Sequence, residues 1–410
     1  MFGFAWRTFA RAWRAALILI SFPFVPGLLS ATFGSHEANV NALSSRAEAH
    51  YAWARKHLEA PFHGYGLLDN MGAQEFDVVI LSHLANGLMN VGILDPDRRT
   101  ELQPLIREVA RRAISAEVSP TNIPATRMEF GDHNLYASHL LLILGVAHRL
   151  GVDEHDALAM QLARHLRSRS LSSRDFHARS YPGSPRWPAD QSVTLAALRL
   201  HDHEHGTSLS ERPIAGWLAW LAQHRTSELP WSATGGLAYT RIPRGCALSW
   251  MTSYMAQFAP DEGARIYSTY RVEHGTSFLG YRGFREWPRG HDGGSDIDAG
   301  PVIFGWGTAA TGIGLGAARL YGDAAQWAGI ERTADTVGLP IPGSARYLLA
   351  PTLGQAMLFA GETATLWFDR PEIEPTLTEW PVGPLLFLVG LILFQLWLGR
   401  GIWRVGSKTN

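Results

Sequence analysis

The chain has very little cysteine, lysine or net charge, and each shortage excludes something. A single cysteine, Cys246, leaves no internal disulfide to form, so an oxidising compartment is permitted while disulfide stapling is ruled out. Lysine stands only at positions 56 and 408, so the basic charge is almost wholly arginine; no function is drawn from that. The formal net charge of -1 over 410 residues argues against a nucleic-acid partner. Long strand alternation is missing, and so is a fixed period of about 30 to 45 residues, which argues against a solenoid. Cofactor signatures are also lacking. Gly312, Gly314 and Gly316 follow no strand and so make no dinucleotide fingerprint. His201-Asp202-His203-Glu204-His205 has no second ligand cluster at a recognised spacing and reads as a solvated turn. Asp292, Asp296 and Asp298 lack the complete spacing of a calcium loop. Neither a metal nor another cofactor is expected.

What the chain does have is an apolar segment at each end, flanked by arginine on its outer side. Arg7, Arg11 and Arg14 precede the run 15–33, and Arg400, Arg404 and Lys408 follow the run 382–398. The positive-inside bias then puts both termini in the cytoplasm and the stretch between them outside. The first run is broken by Pro23 and Pro26 and has small residues at Ser30 and Ala31, so it reads as an anchor or as a cleaved signal segment. The second is uncharged and ends in Trp397, Arg400 and Trp403, an interfacial anchor pattern. The expected organisation is a membrane segment over 1–34, an exported domain over 35–375, and a transmembrane helix with a cytoplasmic tail over 376–410. The expected setting is the cytoplasmic membrane, with the lipid bilayer as a partner.

Between the anchors, apolar residues recur at three and four spacing over 78–91, 135–150, 157–166, 193–200, 214–222, 248–258, 263–282, 302–321 and 352–359. Turn clusters separate these segments, and tight connections alternate with longer ones. The predicted class is all-α: helical hairpins closed into an (α/α)6-type toroid, whose longer loops gather at one mouth.

Three loops that lead into apolar helices carry the polar candidates. The first holds Glu129 and Asp132, with Tyr136 and His139 in the helix that follows; Asp132 is also placed to cap that helix. His139 lies in an otherwise apolar run, where an unpaired imidazole is costly to bury. The second loop, Arg186 to Ser192, sets Trp187 beside Asp190, and Asp190 is equally a possible N-cap. The third is the richest. Glu286, Trp287, His291, Asp292, Asp296 and Asp298 fall within one glycine-rich stretch, more charge than the capping of one helix needs. Cys246 follows Arg244-Gly245 and shows no activating partner beyond one arginine, so thiol chemistry is not expected of it.

From about position 61 to 323 a run of landmarks stands in order: Leu94-Asp95-Pro96, Tyr136-Ala137-Ser138-His139-Leu140, Ser192-Val193, His205-Gly206-Thr207, Asp298-Ala299-Gly300 and Gly322-Asp323. Their order and spacing resemble the linalool dehydratase/isomerase family. The resemblance implies an exported (α/α)6 barrel acting on terpene alcohols, with His139 and Tyr136 in the active-site histidine segment. It also implies departures. Asp190 stands where the family has a catalytic cysteine, and the family's N-terminal aspartate and tyrosine find only Glu59 or His57 and His63. Such a change at the site implies a change of chemistry on a kept barrel.

Two enzymatic readings follow, beside a non-catalytic envelope protein that binds glycans or serves assembly. One is a membrane-tethered, glycoside hydrolase-like enzyme. Asp190 and Asp298 would be its acid and base; His139, Tyr136, Asp132, Glu129, Glu286, His291 and Asp296 would contact the sugar, and Trp187 and Trp287 would stack on it. The other is a lyase or isomerase in which His139 and Asp190 move protons at an alcohol carbon.

Overall fold

The computed structural model describes residues 2–34, 41–234, 241–291, 293–341, 344, 346–368 and 380–406, and 62% of it is helix. Fifteen α-helices are described. In chain order they begin with α1 (Phe2–Ser21), α2 (Phe24–Phe33), α3 (Ser45–Glu59), α4 (Phe76–Leu94), α5 (Arg99–Ile114), α6 (Asn134–Arg149), α7 (Asp156–Ser172) and α8 (Pro188–His205). They continue with α9 (Glu211–Gln223), α10 (Gly245–Met255), α11 (Pro260–His274), α12 (Thr308–Leu320), α13 (Ala324–Gly338), α14 (Thr352–Glu362) and α15 (Val382–Gly406).

The even-numbered helices from α4 onward form an inner set whose contacts close on themselves. α4 packs on α6, α6 on α8, α8 on α10, α10 on α12, α12 on α14, and α14 returns to α4. The odd-numbered helices α3 to α13 each pack against inner neighbours. Sequence dictates which set a helix joins. α4 is apolar almost all round and buried from Asp77 to Val91, as a helix without a polar face must be. α5 instead buries Leu102, Leu105, Ile106, Val109 and Ala113 on one stripe and carries arginines elsewhere.

Small residues permit the closure. A Cβ added at Gly87 of α4 would overlap the Phe359 ring of α14, and one turn on, Asn90 Nδ2 reaches Ala360 O at 3.5 Å. Gly87→Val is therefore expected to cost about 1–3 kcal/mol, the usual penalty for overpacking a closed core, read as a fall in the urea midpoint at unchanged slope.

Two of the expected helices are half replaced by hairpins, so the domain is mostly helical rather than wholly so. Besides the short pair β1 (Arg225–Thr226) and β2 (Leu229–Pro230), β3 (Gly275–Phe278) pairs with β4 (Tyr281–Phe284) where 263–282 reads as one helix. Likewise β5 (Val302–Ile303) pairs with β6 (Trp306–Gly307) where 302–321 reads as one helix. The reason lies in the turns. Leu279 and Gly280 have φ of 50° and 89°, and Phe304 and Gly305 have 52° and 83°, so both hairpins turn with two consecutive left-handed residues, a conformation matched to the twist of the strands.

At the ends, α15 has a stretch, Val382–Arg400, long and apolar enough to cross a membrane, and only 22% of that window is buried. α4 passes the same test with 83% buried, which marks it as a core helix. The N-terminal run is two helices bent by 41° at Phe22-Pro23, since proline cannot donate the next helical hydrogen bond. α1 packs along α15, with Gln395 Nε2 3.0 Å from Ser21 Oγ and the Arg14 guanidinium 5.7 Å from the Trp397 ring. α2 packs on both α13 and α15. Gly27 lets the α2 backbone meet the Asp335 carbonyl of α13, and Ser30 Oγ donates to Asp335 Oδ2 at 2.7 Å. Lys408, one of the flanking cations, lies outside the described residues.

Candidate active site

The first residues of all six inner helices reach one cavity of about 2110 Å³. Its wall includes Glu75 before α4, Leu135 of α6, Asp190 of α8, Cys246 of α10, Thr308 of α12 and Thr352 of α14. Polar loops far apart in sequence thus converge, as a closed set of hairpins requires.

Asp190 sits in the first turn of α8, behind Pro188 at the helix start; Trp187, not Asp190, occupies the N-cap position. Its Oδ2 accepts a hydrogen bond from Ser180 Oγ. The side chain keeps some exposure because it faces the cavity, but protein crowds it on every other side. That burial pushes its pKa up to about 7 against the Ser180 hydrogen bond, and the charge of Asp298 adds to the rise. Asp298 lies on the same wall with its side chain open to the cavity, and it is also raised, first by the partial loss of water among the neighbouring protein groups and then by the charge of Asp296, against the pull of Arg244. The two carboxyls therefore share one wall, feel each other and are both displaced toward neutrality.

A second group stands beside them. Arg244 Nε donates to Glu286 Oε1 at 2.7 Å, and its other nitrogens hold Asp296 at 2.7 and 2.8 Å. The guanidinium also lies 5.2 Å from the Trp287 ring, so one arginine fastens the acid-rich loop to the start of α10. Glu286 is fully buried and takes two more hydrogen bonds, from Cys246 N at 3.0 Å and Cys246 Sγ at 3.2 Å. Gly245 makes that approach possible, since a side chain there would strike the Arg285 carbonyl. Burial, then the Glu286 charge, holds the Cys246 thiol well above the ordinary range, so it is protonated at neutral pH. Cys246 lines the cavity and feels Asp298. Glu286, 40 residues away, is a contact the sequence did not show, and it holds the thiol protonated rather than activating it.

The remaining expected residues divide. Trp187, Trp287, Asp296 and Asp298 line the cavity with Asp190. Glu286 backs it through Cys246. His291 is exposed in a side pocket next to Trp287 rather than in the main cavity, and Asp292 lies outside the described residues. Asp132 neither caps α6, whose N-cap is His133, nor reaches the cavity wall; it pairs with Arg169. Glu129 is exposed outside the wall. The Tyr136 hydroxyl is committed to the Ala113 carbonyl at 2.7 Å. Of the positions singled out by resemblance, Glu59 pairs with Arg55 and His57 stacks with Trp53 and Tyr65, and neither they nor His63 line the cavity.

His139 stands one layer deeper. Its Nδ1 lies 2.6 Å from Ser82 Oγ and its ring is edge-on to Trp250, a cavity residue, at 5.8 Å. Its Nε2, both nitrogens of His83 and the Trp250 indole nitrogen are buried without a hydrogen-bond partner. Burial lowers His139 to about 3, with His83 adding to the effect, so the imidazole is neutral.

One group of possible metal ligands is also present. The ligand atoms of His148, Asp156 and His205 lie within 4.8 Å of one another, so His205, read from sequence as part of a solvated turn, gathers with two residues from α6 and α7. They line no part of the cavity, and His205 is 15 residues beyond Asp190 on α8, about 22 Å at 1.5 Å per residue.

No family model and no curated protein matches the chain. Among solved structures, a polysaccharide lyase superposes over 78% of this chain and 97% of its own, at 14% identity and a TM-score of 0.46. A likeness of that size carries no argument about chemistry.

Proposed function

We propose that the closed cycle of inner and outer helices is an (α/α)6 barrel and that the protein is a membrane-tethered, glycan-active enzyme breaking a glycosidic C–O bond with paired carboxylates. The observation that carries the reading is the placing of Asp190 and Asp298 on one wall with displaced titrations, among aromatic rings suited to a sugar face: Trp187, Tyr181, Trp287 and Trp306. Asp190, protonated up to about pH 7, gives its proton to the leaving oxygen as the C–O bond breaks. Asp298, ionised, takes the opposite role, as base toward the attacking water or as nucleophile; product stereochemistry distinguishes these. Arg244 holds Asp296 and the loop that carries Asp298 in place. The main domain is placed outside the cytoplasmic membrane in this reading, a side that the positive-inside bias of the arginine flanks supports.

The alternative of elimination or isomerisation at an alcohol carbon draws on one specific observation, the protonated Cys246 thiol within the cavity. The two readings part on a single comparison. The full-length protein in detergent is assayed for product from envelope glycans and from tertiary alcohols, as wild type and as Cys246→Ser. Glycan cleavage kept within about threefold in Cys246→Ser supports the carboxylate reading; alcohol turnover abolished by that change supports the other.

A further inference from the structure

The cavity does not end at the carboxylates. From Asp190, Arg244 and Asp298 its wall continues to Phe24 and Leu28 of α2 and to Leu386, Phe387, Leu391 and Phe394 of α15. Those α15 positions, with Gly390, fall on one helix face, while Leu385, Val389, Ile392 and Leu396 fall on the opposite one; Leu386, Phe387 and Phe394 stay exposed on the open side of the groove. The lining stretch from 386 to 394 runs about 12 Å along the helix at 1.5 Å per residue. Its volume of about 2110 Å³ is more than twice the roughly 1,000 Å³ upper range of ordinary small-molecule pockets.

The rim is apolar as well. Phe304 is 97% exposed, Leu68 86% and Leu348 65%. Phe304 and Leu279 occupy left-handed turn positions that bulky side chains seldom adopt. The Leu279 tip is fastened to α15, its carbonyl accepting from Gly383 N at 2.8 Å. A water-facing turn would favour asparagine or glycine at those tips, whereas a lipid surface favours what is there.

We infer that the cleft takes a glycolipid from the bilayer, its sugar head among the carboxylates and its apolar chain in the groove between α2 and α15. The sugar head rests on the function proposed above; the chain rests on the groove. The groove opens along a helix that is itself apolar enough to span, so the medium at its open side is hydrocarbon and the occupant is a lipid rather than a second protein. An apolar wall and a charged wall in one cavity fit a molecule with both characters.

The test uses the full chain in nanodiscs of phosphatidylcholine and phosphatidylglycerol, with a hexadecyl glucoside bearing a diazirine in its alkyl chain. After photolysis, adducts are expected on the 386–394 face of α15 and on Phe24 or Leu28, competed by unlabelled hexadecyl glucoside and not by methyl glucoside. No atom lies within 4 Å of a Cβ added at Gly390, so Gly390→Trp fills the groove without displacing the fold. It is expected to reduce labelling at least tenfold. Adducts confined to Leu385, Val389, Ile392 and Leu396, labelling unchanged in Gly390→Trp, or crosslinks only to a second copy would each overturn the inference. Labelling requires no turnover, so the two proposals fail separately: an Asp190→Asn variant that labels normally and turns over normally removes the chemistry and leaves the lipid site.

Discussion

Asp190→Asn is expected to lower turnover by about 100-fold or more with the fold intact, because a positioned proton donor contributes about 10² to 10⁴ in rate. The pH profile supplies the check. In the wild type the alkaline limb should fall as pH rises through about 7, where Asp190 loses its proton, and the acid limb should lie above the ordinary aspartate value because Asp298 is raised. The asparagine variant should lose the alkaline limb near 7. Stability carries the same signature with a definite sign. Native Asp190 keeps its proton to about pH 7, whereas the unfolded chain releases it near 3.8. Its contribution is therefore complete below about pH 4 and is lost as pH rises toward 7, since the native state binds more protons across that window. Asp190→Asn abolishes that slope. A variant with full activity and an unmoved alkaline limb would remove Asp190 from the chemistry.

The largest effect on stability is expected at Arg46→Ala. Arg46 forks onto Asp335 at 2.6 and 2.7 Å, donates to Tyr347 OH at 2.7 Å and lies 3.4 Å from Glu331. Asp335 and Glu331 are both buried. Burial alone would raise Asp335, but the hydrogen bonds and charge of Arg46 hold it below the usual range. Removing the cation leaves that carboxylate buried without its counter-charge, a change that typically costs about 3–5 kcal/mol. The same aspartate receives Ser30 of α2, so the loss should also loosen α2 from α13. Thermal unfolding in detergent reads the first effect, and protease cleavage within residues 22–34 the second. Arg46→Lys, which keeps the charge without the fork, should fall between.

Several of these features were readable from the sequence and others were not, for physical reasons. Three-and-four spacing is a local signal, so the helices appear, and alternating connection lengths point to hairpins. Asp190 and Trp187 were found because a helix start and an aromatic lie together in the chain. The hairpins at 275–284 and 302–307 were missed because Tyr281, Phe284, Val302 and Trp306 also fit a helical period; the Leu279-Gly280 and Phe304-Gly305 pairs were the available turn signal. The contact of Cys246 with Glu286 was not readable, because only the packing of separate elements brings the two together. An arginine and a glycine just before an apolar helix were the same kind of helix-start signal that exposed Asp190. Asp132 and Tyr136 misled for the converse reason. Nearness in sequence to a promising loop does not say which end of a side chain's reach is already committed, and both are committed elsewhere.

The closure of α14 onto α4 also has a consequence in time. The inner cycle is completed by residues such as Asn90 and Ala360, 270 positions apart, so most of the chain must be made before the first inner helix can meet its last neighbour. Until then α4, apolar enough to pass for a membrane span, waits with one flank uncovered. Contacts of such long separation fold slowly and leave sticky surface exposed in the interval. The pairing of α1 with α15 closes a still longer loop, so the two ends of the chain meet only after the last inner helix, α14, has been made. Folding of this protein is therefore expected to finish late, with the uncovered flank of α4 the surface most open to aggregation in the interval.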